Sequence, residues 1–144
     1  MAAGRRGFTL IEAVMALALA GLFALGGAHA VHRLVPKLQL RSGIWEVTSG
    51  LGQARFGAIM SGEPVRVRFV PSGFLFERYD EGAGTWLISR SAHLPGVAVR
   101  ANNAPVFHPQ GTVSNLATIL VSNSRGSYRI TVAITGRIRT VRTG

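Results

Sequence analysis

The sequence contains no cysteine, and this absence removes three classes of chemistry. Disulfide bonds, thiolate metal ligands and thiol nucleophiles all require a cysteine sulfur. Carboxylates are scarce as well, because the 144 residues include only six acidic side chains, of which Asp80 is the single aspartate. A Ser-His-Asp triad therefore has one candidate acid, and that residue stands beside Glu81 in a segment typical of a turn. Any core of this chain has to be held together by the burial of apolar groups.

The four histidines do not form a convincing metal or catalytic site. His29 and His32 share one face of a predicted helix, but no carboxylate or thiol stands near them, and a position at the edge of a bilayer explains them better. His93 and His108 lie in predicted loops beside prolines. The glycine-rich segment at residues 82–84 lacks the Lys-Ser/Thr ending that phosphate binding requires. We therefore expect no catalytic residue, no metal site and no cofactor.

Negative charge is absent from the whole C-terminal part of the chain. The sequence has 16 basic residues against six acidic ones, a formal charge of +10, and every acidic residue lies at or before Glu81. Residues 82–144 contain seven arginines, a pattern that fits a surface for a polyanion. Only one of the 16 basic residues is a lysine, so a general preference for arginine also explains part of the excess. Both interpretations stay open from composition alone.

Hydrophobic residues are concentrated near the N-terminus. After the basic pair Arg5 and Arg6, the 24 residues from Phe8 to Val31 contain only Glu12 and His29 as ionisable side chains. A helix that crosses a bilayer needs about 20 apolar residues, so this run is long enough to span a membrane. A carboxylate inside such a segment is costly and indicates a function that requires it.

Two simple interpretations of this run leave features unexplained. A secretory signal peptide would use the small residues at 28–30 as a cleavage site, but its apolar core is normally about 7 to 15 residues and carries no carboxylate. A plain single-pass anchor fits the length and gives Glu12 no purpose.

The segment at residues 5–12, RRGFTLIE, resembles the leader and the mature start of the type IV pilin superfamily. The resemblance implies that a prepilin peptidase cleaves between Gly7 and Phe8 and methylates the new amino group of Phe8. It also implies that Glu12 pairs with the amino terminus of Phe8 on a neighbouring subunit and so sets the register of assembly. Two opposite charges that would otherwise be buried alone in lipid can neutralise each other in this way.

A second helical pattern follows the apolar run. Its residues recur at intervals of three and four, which is typical of one stripe of an amphipathic helix, and the segment at residues 61–64 ends it. Gly26, Gly27 and Pro36 weaken the continuity of the helix, and we expect a partly melted stretch there. The predicted stripe consists of Leu40, Ile44, Val47, Leu51, Ala54 and Ala58.

From residue 64 onward the period changes to two, which predicts strands. The strands Val65–Phe69 and Phe74–Tyr79 form a predicted hairpin, and five or six further strands follow, including one that places Tyr128, Ile130, Val132 and Ile134 on one face. The expected fold is α+β: a long N-terminal helix, transmembrane in its first half and amphipathic in its second, packed on a C-terminal antiparallel head. The alternative is a free β-sandwich on a membrane stalk. The predicted divisions are a leader at 1–7, a transmembrane helix at 8–31, its amphipathic continuation at 32–62 and a head at 63–144.

Four short motifs resemble the GspH/FimT family of minor pseudopilins. They are residues 53–55 (QAR), 62–65 (GEPV), 107–111 (FHPQG) and 135–139 (TGRIR). The resemblance implies a structural subunit with other pilins as partners, anchored in the bacterial inner membrane with its head in the periplasm, at the tip or initiating complex of a type II secretion pseudopilus. The alternative is a type IV pilus minor pilin that binds DNA during uptake. For that role the candidate residues are Arg125, Arg129, Arg137, Arg139 and Arg142.

Overall fold

The computed structural model describes the backbone of residues 9–144 and the side chains of residues 9–23 and 31–144. It begins with one long helix, α1, at Leu10–Ser61. Nine strands follow within the described part. They are β1 (Val65–Val70), β2 (Gly73–Asp80), β3 (Thr85–His93), β4 (Ala98–Ala101), β5 (Val106–Phe107), β6 (Val113–Ser114), β7 (Thr118–Asn123), β8 (Gly126–Val132) and β9 (Ile138–Arg142). The chain divides into two compact units between Val35 and Pro36.

The first unit contains the N-terminal part of α1. Thr9 directly precedes the helix, and its hydroxyl accepts a hydrogen bond from the backbone N–H of Glu12 at 3.4 Å. This is the capping arrangement in which a threonine is followed three residues later by glutamate. The described apolar side chains of this unit are exposed. No helix in the described part of the chain meets the length and hydropathy required to cross a membrane.

The expected melted stretch is wrong, because α1 is helical through Gly26, Gly27 and Pro36. Proline removes only one backbone donor, the one that would bond to the carbonyl of residue 32, and a helix can continue through that single loss. The side-chain amide of Asn123, at the end of β7, donates a hydrogen bond to the Pro36 carbonyl at 2.7 Å. This contact connects the turn of α1 at Pro36 to the hairpin of β7 and β8.

The second unit, Pro36–Gly144, contains the second part of α1 and the nine strands, and it has the α+β fold that the sequence predicts. Its strands form two antiparallel sheets, one of five strands in the order β3-β2-β1-β5-β6 and one of four in the order β4-β7-β8-β9. The predicted stripe of α1 is confirmed: five of its six residues are buried, and Ile44 packs at the margin of the same core. Side chains from both sheets join this single core, so the helix is part of the head rather than a stalk for a separate sandwich.

One detail of the strand prediction is wrong. Strand β8 ends at Val132, and Ile134 is 63% exposed instead of sharing the buried face. The reason is a turn closed by a hydrogen bond from the Gly136 N–H to the Ala133 carbonyl at 2.9 Å. Glycine adopts the required left-handed conformation at Gly136, where φ is 76°, at little steric cost.

Candidate functional site

The residues predicted to be processed lie at the start of the chain. Gly7 and Phe8 fall outside the described residues, so cleavage between them and the pair between Phe8 and Glu12 stay predictions. Glu12 is exposed in the first turn of α1. A carboxylate there is favoured locally by the positive end of the helix dipole, whatever partner it has. Its apolar neighbours on the helix, such as Leu10 and Val14, are exposed too.

The C-terminal arginines are divided by the register of the four-stranded sheet. Residues directly opposite one another on antiparallel strands point to the same face. Arg100 lies opposite Leu120, Leu120 opposite Arg129, and Arg129 opposite Val141, so these four residues form one row across the sheet. Val99, Ile119, Val121 and Ile130 point the other way and are buried in the core. The row therefore belongs to the outer, solvent-facing side of the sheet.

Arg139 lies on this outer face as well, because it pairs with Thr131, two residues along β8 from Arg129. Arg137 precedes β9 and, together with Arg139, lines a shallow depression of about 230 Å³. Both arginines therefore border the same depression on this side of the sheet. We call Arg100, Arg129, Arg137 and Arg139 the outer arginine face.

The remaining two predicted arginines are not on the outer arginine face. Arg142 pairs with Tyr128, which pairs with buried Val121, so Arg142 is on the core-facing side at the edge strand. Its Nε donates to the carbonyl of Gly144 at 3.1 Å. Arg125 lies in the turn between β7 and β8. The sequence-based prediction thus includes Arg142 and omits Arg100, because only the strand register reveals which arginines share a face.

Three of the four family-like motifs meet at one arginine. The guanidinium of Arg55, from the motif on α1, lies against Gly111 of the loop between β5 and β6 and against Gly136 of the loop between β8 and β9. A methyl group added at Gly136 would come within 2.8 Å of Arg55 Nε. That Nε is buried and has no hydrogen-bond partner among the described residues. Close backbone approach explains why glycine is needed at Gly136, and the contact fixes the loop that leads to Arg137.

The residues considered for catalysis do not assemble into a catalytic site within the described part of the chain. Asp80 uses its carboxylate to accept hydrogen bonds from the backbone N–H groups of Gly82 and Ala83, at 2.9 and 3.3 Å. His108 Nε2 contacts the Ser114 hydroxyl at 2.8 Å, a pair that the sequence does not reveal. No group of three potential metal ligands occurs among the described residues.

The first part of α1 has exposed apolar side chains, and the second part buries one apolar stripe against an antiparallel β head. This architecture is that of a pilin-like protein. Residues 45–136 match the model of the family described as type II transport protein GspH, and residues 3–28 match the prokaryotic N-terminal methylation motif. The chain belongs to the GspH family.

Solved structures share this fold. The minor pseudopilin EpsH from the type 2 secretion system of Vibrio cholerae has a TM-score of 0.58 and 17% identity, covering 75% of this chain and 97% of EpsH. The type IV minor pilin FimU of Pseudomonas aeruginosa has a TM-score of 0.60 and 15% identity, covering 73% of this chain and 90% of FimU. No curated protein matches the sequence significantly. As a member of the family of type II transport protein GspH, the chain is a structural subunit of the pseudopilin class and not an enzyme.

Proposed function

We propose that the protein is a minor pseudopilin that joins the tip or initiating complex of a type II secretion pseudopilus. The observation that carries this proposal is the combination of two matches in one chain, the methylation motif at residues 3–28 and the GspH family model at residues 45–136. A subunit of this kind needs a processed N-terminus for assembly and a folded head for contact with its neighbours.

In this proposal a prepilin peptidase removes the leader after Gly7 and methylates Phe8. The following apolar segment anchors the subunit in the inner membrane, with the head in the periplasm, until it is drawn into the filament. The exposed side chains of Leu10, Ile11 and Val14 support this step, because an apolar helix surface without partners in its own chain is stabilised by lipid or by other helices.

The intact mass of the protein isolated from membranes tests the processing step. We expect a chain that begins at Phe8 and carries one additional methyl group. A chain that begins at Val31 would identify the N-terminal segment as a secretory signal and would refute the proposal. A mass that corresponds to the unprocessed leader would refute it as well.

Replacing Glu12 by alanine is expected to leave membrane insertion intact and to reduce incorporation into filaments by about tenfold or more. Removing one member of a buried charge pair leaves the other uncompensated, and about 1.4 kcal/mol already corresponds to a factor of ten. The measurement is the ratio of subunit in sheared filaments to subunit in the membrane fraction. Glu46→Ala is the matched control, because it removes a carboxylate from the same helix in the head. Equal incorporation of the Glu12 variant and the wild type would contradict the charge-pair mechanism.

A second candidate function is DNA binding by a minor pilin during uptake, and the outer arginine face favours it. Neighbouring strands are about 4.8 Å apart, so Arg100 and Arg129, on either side of β7, have backbones about 10 Å apart. All strands of this sheet lie beyond Glu81, so they contain no carboxylate to offset the charge. Such a face suits contacts with phosphates that do not depend on base sequence.

The double replacement Arg129→Gln and Arg139→Gln is expected to weaken duplex DNA binding. It should also reduce the slope of log affinity against log salt concentration by about 2, because each lost phosphate contact lowers that slope by about 1. The measurement is fluorescence anisotropy of a labelled 20-base-pair duplex with the full-length chain in detergent micelles. Arg142→Gln is the control, because Arg142 is on the other face and should leave the slope unchanged. Absence of wild-type binding at low salt would exclude this function.

A further inference from the structure

A groove of about 590 Å³ runs between the second half of α1 and the inner face of the five-stranded sheet. Ala54, Val65 and Phe76 form its apolar floor, and all three belong to the buried core. The helix side is lined by Gly52, Gln53, Phe56 and Gly57, and the strand side by Arg78, Ser89 and Arg90. Phe56 is 65% exposed, so its aromatic ring stands at the rim with little cover from the chain itself.

The glycines of this helix segment fall into two kinds. A methyl group added at Gly43 or Gly50 would come within 2.9 or 2.6 Å of side chains in the head, so close packing explains both residues. A methyl group added at Gly52 or Gly57 would meet no described atom within 4 Å. Glycine costs about 1 kcal/mol relative to alanine in a helix interior, and no contact in the described part of the chain requires it at these two positions. Both of these glycines line the groove, where an external group would gain close access to the helix backbone.

The charges at the groove are positive. Arg90 Nη2 donates to Gln53 Oε1 at 2.6 Å, and its guanidinium carbon lies 4.2 Å from the centroid of the Phe76 ring. These neutral partners hold the side chain in place over the groove without cancelling its charge. Arg78 has one acidic neighbour, Glu63 at 3.9 Å, and both side chains are about half exposed, so that pair is weak. Among the described residues that line the groove, none is acidic.

We propose that this groove binds an extended segment of a partner protein in which an apolar side chain is followed by a carboxylate. The apolar group would occupy the floor beside Phe76, and the carboxylate would bind Arg90 at the rim. The open helix surface at Gly52 and Gly57 admits the backbone of the segment. The positive rim and the apolar floor together select this chemistry over a purely basic or a purely polar segment.

Replacing Gly57 by alanine separates a binding role from a structural one, because the two roles predict opposite signs. We expect Tm to rise by about 3 °C, since alanine favours the helix and meets no neighbour. We expect partner binding to fall at the same time, because the methyl group occupies the groove. A fall in Tm would show that the glycine is required by the fold and would refute its role in binding.

Partner binding is measured by photo-crosslinking of the full-length chain in its native cells, with Phe56 replaced by p-benzoylphenylalanine. We expect cross-linked peptides from a protein that contain a carboxylate next to an apolar residue. Arg90→Gln should lower their yield about tenfold, as expected for loss of a hydrogen bond between charged groups, and Arg90→Lys should restore part of it. The same probe at Trp45, which is 67% exposed on the same helix and outside the groove, should give cross-links that do not depend on Arg90.

Three outcomes would overturn the proposal. One is the absence of cross-links at position 56 above the level without illumination. The second is a set of captured peptides without carboxylates, or cross-links to lipid or nucleic acid in place of protein. The third is a yield that is unchanged by Arg90→Gln while Tm is also unchanged. Any of these results leaves the proposed pseudopilin function untouched, because that function is tested separately by processing and incorporation.

Discussion

Phe107→Ala is expected to lower the free energy of unfolding by about 4 kcal/mol, which is a large part of the stability of an ordinary domain. Phe107 is 0% exposed, although its strand, β5, has only two residues. It lies between Val65 of β1 and Val113 of β6 in the five-stranded sheet. Truncation of Phe107 therefore leaves a cavity next to two short strand pairings, β1 with β5 and β5 with β6, both of which include this residue.

Chemical denaturation of the full-length chain in micelles measures this change as a shift of the unfolding midpoint. Phe56→Ala is the matched control, because it removes the same side chain from a position that is 65% exposed, and it should cost less than about 1 kcal/mol. Similar losses for both variants would mean that burial is not what makes Phe107 important.

The parts of the fold that follow a local period are predictable from sequence. The buried stripe from Leu40 to Ala58 is visible as intervals of three and four, and the first hairpin as alternation around residues 71–73, because one helix face or one strand face is enough to produce each pattern. The pilin-like start is recognisable for a different reason. Basic residues, a carboxylate and an apolar run follow one another within the first 31 residues, and a carboxylate inside an apolar run indicates a function that requires it.

What depends on pairing between distant strands is not predictable in this way. The positions of the arginines along the chain are visible in the sequence, but the face of the sheet that each one occupies is not. Placing Arg100 on the outer arginine face and Arg142 on the opposite side requires the register of four strands. The groove is hidden for the same reason. Gly50 and Gly57 cannot be told apart in the sequence. Only the structure shows that Gly50 packs against the head and that Gly57 is open.

Glu77 illustrates this limit most clearly, and its replacement is the second large effect that we expect. In the sequence it lies in the predicted strand Phe74–Tyr79, at a position that alternation assigns to the face opposite Phe76, yet its side chain is only 2% exposed. One carboxylate oxygen accepts from Arg66 Nε at 2.5 Å and the other from Arg68 Nε at 2.7 Å. Arg66 in turn stacks over the ring of Trp86, with 4.4 Å between the guanidinium carbon and the ring centroid. A single buried carboxylate thus pairs with two arginines on β1 and offsets one of their two positive charges.

Glu77→Ala is expected to lower the free energy of unfolding by about 3 kcal/mol. The variant loses two hydrogen bonds between charged groups and leaves two like charges side by side, and the partial exposure of both arginines keeps the loss below that of a fully buried pair. Glu63→Ala is the control, because it removes a carboxylate that is 3.9 Å from Arg78 on an open surface, where ion pairs contribute about 0 to 1 kcal/mol. The triple variant Arg66→Met, Arg68→Met and Glu77→Leu should recover much of the lost stability, because apolar side chains of similar size replace all three charges. If Glu77→Ala alone is as stable as Glu63→Ala, the carboxylate does not hold β1 and β2 together in the way that its geometry indicates.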